Sequence, residues 1–185
     1  MNNAIIPGSL SHMAKRNNQS LAESFLSADI IVLLDDSGSM STPDAPNGMT
    51  RKEAAKAELK RLQKQHPGKI ALVCFADDVV FCPHGEVQYC GGSTDMAKAL
   101  QFVKVADDCG LKIILVSDGA PNDEKETLRV ARTFTSRIDC LYVGRENGSG
   151  MDFLNKLMAI TGGKRYEADA PGMLGNGVSE LLLKG

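Results

Sequence analysis

Four short apolar runs, separated by stretches of helical periodicity, constrain the fold of this chain more than any other feature. IIVLL (30–34), KIALVCFA (69–76), LKIILVS (111–117) and IDCLYVG (138–144) are short enough for strands and apolar enough to be buried on both faces. Between and after them, apolar residues recur every three or four positions: Ala55, Leu59 and Leu62; Met96, Leu100 and Val103; Leu128, Ala131 and Phe134 or Thr135; Leu154, Leu157 and Met158. Strands alternating with helices specify a parallel sheet covered on both faces, joined by right-handed crossovers. The expected fold is α/β, Rossmann-like and doubly wound. VVFCP (79–83) follows the Asp77-Asp78 turn and ends at Pro83, as suits an antiparallel edge strand, and KRYEA (164–168) reads as a short last strand.

Helix ends are signalled locally. Ser20 with Glu23 and Thr50 with Glu53 are capping boxes, the second opening a helix through Gln65 that His66, Pro67 and Gly68 stop. Asp123 and Glu126 open a further helix, one over 152–160 stops at Gly162-Gly163, and a closing helix is expected over 173–183. Residues 1–14 carry no periodicity and contain Pro7 and Gly8. The expected organisation is a flexible leader over 1–19 and a single domain over 20–185.

The first run ends abruptly in acids and hydroxyls. Asp35, Ser37 and Ser39 alternate along the chain, and Gly38 lets the backbone turn so that several oxygens can converge. Ligands of open α/β sheets bind outside the carboxyl ends of the strands, where this segment falls. Hydroxyls and carboxylates, with no His or Cys close in sequence, suit Mg²⁺ or Mn²⁺ rather than Zn²⁺. Asp118 ends the third run in the same relation that Asp35 bears to the first, and Thr94 follows Gly91-Gly92 at the start of a helical pattern. Ser93 is its neighbouring alternative. His12, His66 and His84 are scattered and read as ordinary surface histidines.

Taken together, DDSGS (35–39), GGST (91–94) and SDG (117–119) resemble, in order and approximate spacing, the metal-ion-dependent adhesion site of the von Willebrand factor type A (vWA) domain family. TGGKRYEADAPGML (161–174) is similar to the C-terminal part of that family, so the resemblance spans roughly 27–185. It implies an antiparallel sheet edge at 79–83 and a Mg²⁺ site, with Mn²⁺ or Ca²⁺ as other occupants. Ser37 and Ser39 would ligate directly, Thr94 directly or through water, and Asp35 and Asp118 directly or through ordered waters. Neutral hydroxyls around the ion would leave it electrophilic toward an outside oxygen. The implied function is a protein-binding adaptor whose partner offers an Asp or Glu side chain. Asp36 adds charge beside this rim, and outward solvation is expected for it. The same family includes intracellular stand-alone adaptors and switches whose C-terminal helix shifts on ligand engagement.

Composition narrows the alternatives. The 185 residues carry a formal net charge of −2, which leaves no DNA footprint and makes RNA binding a minor reading. No run reaches membrane-spanning length and the N-terminus lacks a signal-peptide pattern, so a cytoplasmic location is expected. The five cysteines form no CxxC pair and read as buried or strand-end thiols rather than a disulfide framework or zinc site. No G-x-G-x-x-G follows a strand and no P-loop occurs, so nucleotide binding has no support. Two other functions are weighed against the adaptor. Mg²⁺-dependent phosphoryl transfer would use Asp35 or Asp36 as nucleophile or base. A salt-sensitive scaffold or RNA-associated module would use the basic helix 51–64, whose cations otherwise form a solvated face.

Overall fold

The computed structural model describes residues 4–107, 109–143 and 149–167. In chain order the elements are α1 (Leu10–Asn17), α2 (Leu21–Leu26), β1 (Ile30–Asp35), α3 (Arg51–Gln65), β2 (Ile70–Phe75), β3 (Val79–Phe81), α4 (Met96–Asp107), β4 (Lys112–Ser117), α5 (Glu124–Ala131), β5 (Ile138–Tyr142), α6 (Ser149–Thr161) and β6 (Arg165–Glu167). They form one six-stranded sheet in the order β3-β2-β1-β4-β5-β6. All neighbours pair in parallel except β2 with β3, the antiparallel edge. The Rossmann-like expectation therefore holds. The strand order reverses beside β1, whose carboxyl end is the topological switch point where α/β sheets bind ligands.

Period-two alternation along the strands divides the core in two. Ile31, Leu33, Val73, Ile113 and Leu115 point to one face, where α4 contributes Met96, Leu100 and Val103 and α6 contributes Phe153, Leu154 and Leu157. Ile30, Val32, Leu34, Leu72 and Ile114 point to the other, against Ala55, Leu59 and Leu62 of α3. Every residue of β1 and β2 is buried, which explains why these strands read as continuous apolar runs. Both capping boxes form as the sequence predicts, at Ser20 and at Thr50. Helix α5 stops at Ala131, so it buries Thr127, Val130 and Ala131, while Leu128 and Phe134 pack only partly. Four cysteines are buried free thiols and Cys109 is exposed. The helix expected over 173–183 lies outside the described residues.

The leader expectation needs correction. Residues 10–17 form α1, capped by the Ser9 hydroxyl, which accepts from the His12 N–H. Leu10 is only 1% exposed. The segment is also fastened by backbone: the Ile6 N–H donates to the His84 carbonyl (2.9 Å), Ser11 N–H to Pro83 (2.9 Å), and Gly68 N–H to the Gly8 carbonyl (2.8 Å). Only Leu10, Met13 and Ala14 give the helix an apolar side, too few to register as periodicity.

Candidate metal centre

Three loops meet above the carboxyl ends of β1 and β4. Asp35, fully buried at the end of β1, accepts from the Ser37 N–H with one carboxylate oxygen (2.8 Å) and from the Ser117 hydroxyl with the other (2.6 Å). The first bond is an Asx-type turn that swings the chain over the strand end. A short 3₁₀ turn follows at Gly38–Ser41, anchored by Met40, which is wholly buried among the residues facing α3. The turn holds the Ser37 and Ser39 hydroxyls 3.1 Å apart, and Ser39 donates to Asp118 Oδ1 at 2.8 Å. Ser37 and Asp118 are buried, while Ser39 is exposed.

The third loop arrives by backbone contact. The Gly38 N–H donates to the Gly92 carbonyl at 3.0 Å, laying 91–94 beside the serine turn. Asp77 shapes this loop by accepting from the Gly92 N–H (2.8 Å) and from the Ser93 hydroxyl. Asn122, beyond β4, closes it: its Oδ1 accepts from the Thr94 N–H (3.0 Å), its Nδ2 donates to Ser93 (3.0 Å), and its N–H donates to the Thr94 carbonyl (2.9 Å). Ser37, Ser39 and Asp118 thus share one side-chain network, which Asp35 joins through the Ser37 N–H and the Thr94 loop through its backbone. Ser117, Asp77 and Asn122 are supports that sequence reading passed over. Ser117 carried the one usable signal, as the last strand residue before Asp118.

Carboxylates crowd the centre, and cations from α3 answer them. Burial pushes the Asp35 carboxyl up, hydrogen bonds from Ser117 and Ser37 oppose the shift, and the nearby Asp118 charge adds to it. Two cations from the start of α3 turn toward this acidic centre. Arg51 Nη1 donates to Asp118 Oδ2 at 2.5 Å, while its Nε and Nη2 hold Asp44 at 2.8 and 2.7 Å. The bond to Asp44 and, against burial, the bond to Asp118 raise the Arg51 pKa further above its usual value. Lys52 pairs with Asp36.

Two expectations are therefore revised. Asp36 is not solvated outward: it is 2% exposed and also accepts from the Cys90 N–H at 3.1 Å. The basic helix is not a uniformly solvated face, because its first two residues point into the site. Among the described residues, no group of three or more His, Cys, Asp or Glu side chains is placed to hold a metal ion. The candidate donors are of another kind, two carboxylates and three hydroxyls.

The comparisons with known proteins agree with this architecture. No family model matches the chain, and no curated protein matches it. Solved structures do. The conserved hypothetical protein BatB from Bacteroides thetaiotaomicron aligns with a TM-score of 0.65 at 17% identity, over 85% of this chain and 98% of that one. A von Willebrand factor type A structure from Catenulispora acidiphila aligns with a TM-score of 0.61 at 16% identity, over 83% of this chain and 42% of that one. The manganese-loaded TRAP protein of Plasmodium vivax aligns with a TM-score of 0.56 at 16% identity, over 84% of this chain and 71% of that one. The fold is that of the vWA domain. Among the described residues no helix is long and apolar enough to cross a membrane.

Proposed function

We propose that the chain is a metal-dependent protein-binding module, with Ser37, Ser39, Thr94, Asp35 and Asp118 holding a divalent cation and a partner's Asp or Glu completing the site. The observation that carries this reading is the single network in which Ser37, Ser39 and Asp118 gather their oxygens above a buried Asp35. The donor set fits Mg²⁺ or Mn²⁺: hard oxygens only, mostly neutral, with two carboxylates to supply charge. The Ser93 hydroxyl is engaged by Asp77 and Asn122, which favours Thr94 as the donor from its loop. Because most donors are neutral, a bound ion would keep Lewis acidity toward an incoming carboxylate. Tyr89, 79% exposed beside Lys52, offers the partner an aromatic contact. The manganese-loaded state of the Plasmodium vivax neighbour recommends Mn²⁺ as a probe.

The competing readings draw less support. Of the two aspartates that phosphoryl transfer would use, Asp36 is occupied by Lys52 and the Cys90 N–H, and Asp35 accepts from the Ser37 N–H and the Ser117 hydroxyl. Of the cations on the helix that a scaffold or RNA-associated module would present, Arg51, Lys52 and Arg61 each hold an acidic side chain.

The test is Mn²⁺ titration of the wild type and Ser39→Ala, with circular dichroism to verify folding. Capture of partners from host lysate follows in Mg²⁺ and in EDTA. Mn²⁺ binding weakened by Ser39→Ala, with a partner kept only by wild type in Mg²⁺, is the expected result. A partner indifferent to both EDTA and the substitution would overturn the reading.

A further inference from the structure

Arg51 occupies an unusual position for a residue on a basic helix. It opens α3, where the Thr50 capping box fixes the helix start, and its backbone N–H donates to the Thr42 carbonyl at 3.2 Å. The side chain is only 14% exposed and bridges two carboxylates, Asp44 of the loop after the serine turn and Asp118 of the site. Asp118 is itself 1% exposed in its side chain and divides its oxygens between Ser39 and Arg51. A guanidinium that links a site carboxylate to a second carboxylate has the arrangement a metal-bridged acidic ligand would have. Arginine cannot shed its charge near neutral pH, so the bridge is a permanent cation.

We propose that Arg51 is a built-in counter-ion that competes with the divalent cation for Asp118 and thereby sets the affinity of the site. The inference rests on the metal-binding reading above. Metal binding through Asp118 exchanges one ion pair for another: Asp118 gives up Arg51, while the two-bond contact with Asp44 keeps the guanidinium at the rim. Its charge then lies close to the bound ion and opposes it. Without metal, the same pair neutralises a buried carboxylate that would otherwise stand beside Asp35 uncompensated. Arg51 thus tunes a site whose oxygens come from other loops, holding the metal-free form together and making it yield only to sufficient metal.

The experiment compares wild type, Arg51→Gln and Arg51→Lys by Mn²⁺ titration, counting free Mn²⁺ by electron paramagnetic resonance, and by thermal melting in EDTA and in Mn²⁺. Arg51→Gln should bind Mn²⁺ roughly tenfold more tightly than wild type, since removing a nearby like charge favours the ion. It should also melt lower in EDTA, with much of that deficit recovered in Mn²⁺. Arg51→Lys retains the charge without the two-sided fork, and should fall between the two. Should Arg51→Gln not fold in EDTA, Arg51→Lys decides alone: tighter Mn²⁺ binding than wild type supports the inference, and equal or weaker binding overturns it. Equal or weaker binding by both variants, with wild type still binding, would overturn the inference and leave the metal reading standing. No Mn²⁺ bound by any of the three would overturn that reading and the inference with it.

Discussion

Gly91 and Gly92 are adjacent, yet only Gly91 is constrained. Gly91 sits at φ 116°, and a Cβ there would lie 2.2 Å from Asp77 Oδ2; at Gly92 nothing comes within 4 Å. Gly91→Ala should therefore displace the loop that delivers Thr94 and lower stability by about 1–3 kcal/mol. Gly92→Ala should change little, and thermal melting of the pair tests the contrast. A second residue effect is pH-dependent. Burial would raise the Asp107 carboxyl, but Lys104 and the N–H groups of Thr135 and Ser136 outweigh it and hold its pKa well below the ordinary range. A carboxyl depressed on folding stabilises above its unfolded pKa of about 4, and that stabilisation is lost as pH falls through the folded value. Asp107→Asn should lower stability by about 2 kcal/mol at pH 7, and its deficit should shrink toward pH 2 in urea denaturation. The candidate donors stand out locally because Asp35 and Asp118 follow apolar runs, Ser37 and Ser39 alternate with Asp35, and Thr94 follows a glycine pair. Arg51 does not, since its contact with Asp118 spans 67 positions and no local pattern announces it.

At the scale of elements, α1 and α2 form a covering unit over the β3 side of the sheet. Phe25 of α2 packs edge-on to Phe81 of β3, with centroids 5.7 Å apart and planes at 88°. Leu10 reaches the core shared with α4 and α6. Leu10→Ala should cost about 2–4 kcal/mol, and removal of residues 1–19 should cost more; urea midpoints compared with wild type check both. An unchanged midpoint on truncation would mean that the segment is peripheral after all. The strands were readable because burial on both faces removes alternation from β1 and β2, and two helix starts were readable from capping boxes. Helix α1 hid because the segment 6–11 that leads into it is held by backbone contacts to residues 68, 83 and 84, which leave no mark on its composition.

For the whole molecule, the parallel sheet places the metal-ligand candidates at one pole, and on the proposed reading occupancy there adds to stability. A ligand that binds only the folded state at about a hundred times its Kd adds about 2.7 kcal/mol. For a chain of this size, Mg²⁺ should therefore raise Tm by roughly 5–10 °C, and the rise should vanish in Ser39→Ala; melting at matched ionic strength is the check. The backbone bonds fastening residues 6–11 fall at the opposite pole, near the amino end of β2 and the exit of β3. That polarity sets the fastened segment opposite the candidate site. Tethered on a sensor chip at that end, the chain should leave the candidate site open to a partner.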